Sequence, residues 1–85
     1  MYHVYILKSE KDGNIYTGFT SNIKLRLEEH CNGLVTSTKN RRPLKLVYLE
    51  SYLSKIDAEK RERYLKSGGK AKNDLKLQIA DSLTT

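Results

Sequence analysis

The sequence predicts an α+β fold of the two-layer α/β kind, a three-stranded antiparallel sheet flanked by helices in the order β-β-α-β-α-α. Three observations carry that prediction. Two aromatic and β-branched runs are joined by an Asp-Gly turn, a third such run is entered through the only proline, and three amphipathic segments have recognisable starts or stops. The 85 residues make one domain, 1–85. A chain of this size buries only about 60–65% of the surface its unfolded form exposes, so the core must be compact.

Each element follows from its residues. Residues 2–8, Tyr-His-Val-Tyr-Ile-Leu-Lys, read as a strand with Tyr2, Val4 and Ile6 on one face and His3, Tyr5 and Leu7 on the other. Both faces carry apolar bulk, which predicts a central strand covered on both sides. Asp12-Gly13 supplies the positive φ that a hairpin turn wants, and Ile15 to Thr20 forms the second strand. Gly18, inside that strand, leaves room for something to approach the backbone closely. Thr20, Ser21 and Asn22 are all good N-caps for a helix running to about Asn32 and stopped by Gly33. Ile23, Leu27 and Cys31 are expected to form its apolar stripe. A basic loop, residues 37–42, leads to Pro43 and a third strand, Leu44 to Tyr52. Ser54 and Asp57 form a capping-box-like pair opening a second helix to about Ser67. Gly68-Gly69 breaks it, and one final helix is expected from about Lys70 to Ser82, with Leu75, Ile79 and Leu83 as its apolar row.

Lys and Arg outnumber Asp and Glu by 16 to 10, a net charge of +6. That surplus suits a polyanion, nucleic acid or an anionic membrane surface, because each phosphate neutralised releases condensed counterions. The single cysteine, Cys31, excludes an internal disulfide and a multi-cysteine zinc site. It adjoins His30, but neighbouring helix positions do not face each other, so the two do not read as a nucleophile pair. There is no leader pattern and no apolar run approaching the roughly 18 residues needed to span a bilayer, so a cytoplasmic location without a membrane partner is expected.

Three features bear on chemistry. There are six tyrosines against one phenylalanine and no tryptophan, and Tyr5 and Tyr16 fall inside the hairpin strands. Tyr in place of Phe at such sites suggests a use for the hydroxyl, although packing alone also accounts for a strand tyrosine. Asn22, Arg26 and His30 recur every four residues along the first helix as a polar stripe bordering the buried face. An arginine there can reach over the sheet to a phosphate, or the stripe is simply solvated. Glu62 shares a helix face with Ala58 and Leu65, which look inward. Such an acid needs an ion pair, to Arg61, Arg63 or Lys66, or a bound cation.

Taken in order, these residues form a pattern. Val4-Tyr5-Ile6, Tyr16-Thr17-Gly18, Ser21-Asn22, Arg26 and His30 resemble the signature of the GIY-YIG nuclease superfamily. His3-Val4-Tyr5 stands for Gly-Ile-Tyr and Tyr16-Thr17-Gly18 for Tyr-Ile-Gly. Ten residues separate the two tyrosines and Arg26 lies ten beyond Tyr16, as in the family. Residues 58–68 resemble the helix of its small single-domain branch, related to the N-terminal domain of an excinuclease component. The resemblance covers nearly the whole chain and implies a metal-dependent DNA endonuclease, structure-selective or weakly selective and linked to repair or recombination. It implies Tyr5 and Tyr16 as motif tyrosines, one of them a general base or proton relay, and Arg26 as the neutraliser of phosphoryl charge. It further implies His30 in proton transfer or phosphate binding, and Glu62 holding one Mg²⁺ or Mn²⁺. An asparagine beyond the glutamate helix is common in the family, but nothing around Asn73 secures that match. Lys39, Arg41 and Arg42 in the loop, with Lys66, Lys70 and Lys72 around the Gly-Gly break, are the candidate phosphate contacts. The alternative is a non-catalytic nucleic-acid-binding module on the same scaffold. The sequence leaves the oligomeric state open.

Overall fold

The computed structural model describes residues 1–84. β1 (Tyr2–Ser9), β2 (Ile15–Thr20) and β3 (Leu44–Tyr52) form one antiparallel sheet in the order β2-β1-β3, so the N-terminal strand is central as predicted. α1 (Ile23–Cys31) meets one face of the sheet through His30. α2 (Lys55–Lys66), α3 (Gly69–Gln78) and α4 (Ala80–Thr84) lie on the other, so helices occupy both faces.

The core sits between the sheet and α2–α3. Val4, Ile6 and Ile15 from the strands meet Ala58 and Leu65 of α2, Leu75 of α3 and Ile79, with Tyr2, Phe19, Val47, Tyr48, Tyr52 and Leu83 packed at its margin. Burying side chains of this size is the main favourable term in a small domain, at about 1.5–3 kcal/mol for each of the larger ones. At the rim of this layer Glu50 of β3 accepts hydrogen bonds from the Tyr48 and Tyr52 hydroxyls and from Arg61 Nε at 2.9 Å. Burial alone would raise its pKa, but the Arg61, Tyr48 and Tyr52 hydrogen bonds outweigh it and hold the carboxyl below its usual value. Glu50 is a structural acid: its strand partner is Val4, which places it on the α2 face.

Local signals set most boundaries. Asn22 caps α1, its side chain accepting from Leu25 N at 3.1 Å, and Ser54 Oγ caps α2 by accepting from Asp57 N. Gly13 takes the hairpin turn at φ 74°. Three expectations change. The basic loop contains a 3₁₀ turn, Lys39–Arg41. The final helix is two helices meeting at Ile79, where α3 ends, and Lys8 Nζ donates to Leu83 O at 2.7 Å to hold α4 back on the sheet. In α1 the inward residue is His30, 1% exposed, whereas Cys31 is exposed. Helical geometry explains it. Seven residues return to within about 20° of the starting direction and eight overshoot by about 80°, so His30, not Cys31, lies in line with Ile23.

Candidate active site

β1 presents Tyr5 toward α1, opposite Gly18 of β2. The ring lies flat across that glycine: a Cβ at position 18 would overlap Tyr5 Cζ and Oη. The glycine is therefore where the phenol is housed, and the side chain is fully buried. Its hydroxyl is 2.8 Å from His30 Nε2, and His30 Nδ1 is 2.7 Å from Thr38 Oγ1, a residue with no exposed surface. A continuous polar chain, Tyr5–His30–Thr38, thus runs from the central strand through α1 to the 3₁₀ turn. A buried imidazole satisfied at both nitrogens is a rigid one.

The tyrosine and histidine rings make one cluster. Tyr16 stands 6.5 Å from Tyr5 and 5.4 Å from His30 between centroids, and His30 meets both tyrosines edge-on. Arg26, one turn before His30 on α1, is half-buried, pairs with Glu29 at 3.2 Å and adjoins the Tyr5 hydroxyl. Burial raises the Tyr5 pKa, the Arg26 guanidinium pulls it partly back, and Tyr16 and Glu62 push it up. Burial lowers the His30 pKa, and the nearby positive Arg26 lowers it further against Glu29, so the ring is neutral at pH 7.

Glu62 reaches the cluster from α2. Ala58 and Leu65 on its face are buried, as the helix spacing predicts, and the Glu62 side chain is only 20% exposed. Of the three ion-pair partners left open by the sequence, Lys66 is the one found, at 3.1 Å, and its ammonium also stands 5.7 Å from the Tyr16 ring centroid. Among the described residues, no group of three His, Cys, Asp or Glu side chains gathers as a metal cage.

The matches with known proteins agree with this fold. The family model of the GIY-YIG catalytic domain matches residues 1–76. The chain belongs to the GIY-YIG family. A UPF0213 protein of Clostridium perfringens is 43% identical over 83 residues, covering 96% of this chain and 85% of that one. Another, from Staphylococcus saprophyticus, is 43% identical over 77 residues, covering 89% and 92%. The solution NMR structure of a UPF0213 protein from Bacillus halodurans superposes with a TM-score of 0.60 at 30% identity, covering all of this chain and 95% of its own. These are small relatives of similar length, which fits the single-domain branch of the GIY-YIG fold.

Within this GIY-YIG domain the structure brings Tyr5, Tyr16, Arg26 and His30 together, with Glu62 beside them. The predicted phosphate contacts divide. Lys39 and Lys70 are exposed. Arg41 is held by Asp12, Nε to Oδ2 at 2.9 Å, and Arg42 donates to Lys39 O and Cys31 O, closing the end of α1. Lys66 pairs with Glu62, and it lines with Lys72, Tyr16, Thr17 and Gly68 a pocket of about 220 Å³ at the β2 edge. Basic groups thus flank the cluster, and the two arginines of the loop have structural duties of their own. Thr38 is the site residue that sequence reasoning missed. Nothing in periodicity marks it, because its partner is set by the path of the chain through residues 34–38. No helix among the described residues is long and apolar enough to cross a membrane.

Proposed function

We propose that this GIY-YIG domain is a metal-dependent endonuclease that hydrolyses phosphodiester bonds in DNA, with structure-selective action in repair or recombination. One observation supports it above all: a buried phenol is hydrogen-bonded to a buried imidazole directly beside an arginine, at a basic rim. Phosphoryl transfer asks for positioning and charge stabilisation more than covalent chemistry, and these groups supply both.

Arg26 is placed to take the growing negative charge of the phosphoryl oxygens. Once the phosphate draws Arg26 aside and uncovers the phenol, the water attacking phosphorus gives its proton to the Tyr5 oxygen while Tyr5 passes its own to His30 Nε2. The proton ends on the imidazole and the new P–O bond forms as the P–O bond to the leaving oxygen breaks. Tyr16 walls the site beside both groups. Glu62 would hold one Mg²⁺ or Mn²⁺ ion, with Lys66 giving way. The ion, when bound, supplies positive charge at the leaving oxygen.

The test is cleavage of nicked, branched and single-stranded DNA by the full chain with Mg²⁺ or Mn²⁺. Arg26→Ala should lower the rate by roughly 10²–10³-fold, the scale of losing one preorganised donor. Glu62→Gln should weaken it similarly, with partial recovery at high metal concentration. Binding without cleavage by the wild type under every metal condition would sink the enzyme and leave a nucleic-acid-binding module.

A further inference from the structure

We propose that Thr38 is a positioning residue that fixes the tautomer of His30, keeping Nε2 bare so that it can receive the Tyr5 proton. This rests on the nuclease reading for its consequence and on the hydrogen-bond chain alone for its geometry.

Arg26 carries only donors, so against Tyr5 it can only give a hydrogen bond to the phenol oxygen. With a guanidinium beside that oxygen, the phenol proton is directed at the neighbour 2.8 Å away, His30 Nε2, which in this arrangement is the unprotonated nitrogen. A neutral imidazole has one proton, so it resides on Nδ1 and is donated to Thr38 Oγ1 at 2.7 Å. Free histidine in water favours the opposite form, with the proton on Nε2. In that form the ring would donate to Tyr5 and block the transfer.

Thr38 is built to hold the less common form. It is completely buried, its N–H donates to Val35 O at 3.1 Å, and its carbonyl accepts from Arg41 N at 2.9 Å. Arg41 is in turn anchored to Asp12, and its carbonyl accepts from Ser9 Oγ at 2.6 Å. The backbone that carries the hydroxyl is therefore held by the 3₁₀ turn and by β1 itself. A residue that merely filled this space would be as well served by valine, which has the same shape without the acceptor.

The readout is ¹⁵N NMR of the imidazole nitrogens in the full chain. His3→Gln is included so that only His30 reports, His3 being the only other histidine and bonded elsewhere, to Ser51. The expected wild-type signal has the proton on Nδ1. Thr38→Val should move it to Nε2 and lower kcat by about 10–100-fold, the usual cost of losing a residue that orients a histidine, with KM for DNA little changed. Thr38→Ser should restore both. A His30 carrying its proton on Nε2 before any change at position 38 overturns the proposal even if Thr38→Val fails to fold. So does a Thr38→Val protein with unaltered tautomer and kcat. If the wild type cleaves no DNA the nuclease reading fails, while the tautomer result still decides the role of Thr38.

Discussion

β1 is buried on both faces, by opposite means. On one side Val4 and Ile6 are sealed by Ala58, Leu65, Leu75 and Ile79, all apolar. On the other, Tyr5 is sealed as completely, by a histidine, a second tyrosine and the bare backbone of Gly18. The first face gains from area removed from water, which many side-chain combinations can deliver. The second gains from hydrogen bonds of fixed direction, which one arrangement delivers. Area-driven burial and directional hydrogen bonding are thus split across a single strand, residue by residue, and they should come apart under substitution.

The largest expected effect falls on the apolar face. Leu65→Ala should cost about 2–5 kcal/mol in urea unfolding, yet leave the rate per folded molecule nearly unchanged. Tyr5→Phe should show the reverse pattern: cleavage essentially lost, and a stability loss of about 1–3 kcal/mol from leaving His30 Nε2 without its partner. Equal destabilisation by the two, with activity surviving Tyr5→Phe, would erase the distinction between the faces.

A subtler separation comes from pH. The folded protein holds His30 with a pKa below its ordinary 6.5, so protonation favours the unfolded chain. The stability this contributes is fully present above pH 6.5 and is lost as pH falls through the lower, folded value. His30→Gln should flatten that part of a stability–pH profile measured by thermal melts, whereas Leu65→Ala should shift the whole profile without changing its slope.

The smallest effect belongs to the exposed Asp12–Arg41 pair. Arg41, helped by the Asn14 backbone, lowers the Asp12 carboxyl to about 2 from 3.8. Its contribution is present above pH 3.8 and fades as pH drops toward 2. Because the pair also braces the turn that carries Thr38, Asp12→Asn should broaden the NMR signals of residues 37–42 while moving the melting temperature by only a degree or two.

The contrast between the faces also explains what the sequence disclosed. The limits of β2 and β3, the Asn22 and Ser54 caps and the inward turn of Glu62 depend on neighbours within a few residues, so pattern reveals them. Tyr5 and His30 are 25 residues apart and become partners only through the rotation of α1, which counting the apolar stripe at every fourth residue misjudged by favouring Cys31. Thr38 was invisible for a related reason: a hydroxyl in a loop has no period. Arg41 and Arg42 looked like free charges because their structural partners, Asp12 and two backbone carbonyls, are distant in sequence or carry no side-chain signal.

The register that sets Tyr5 against Gly18 ties the two positions to each other. The glycine of one motif triplet is a vacancy reserved for the ring of the other. They can drift only together. An alanine at position 18 evicts the phenol unless position 5 shrinks as well, and a chain that accepts both changes takes the hydroxyl partner away from His30.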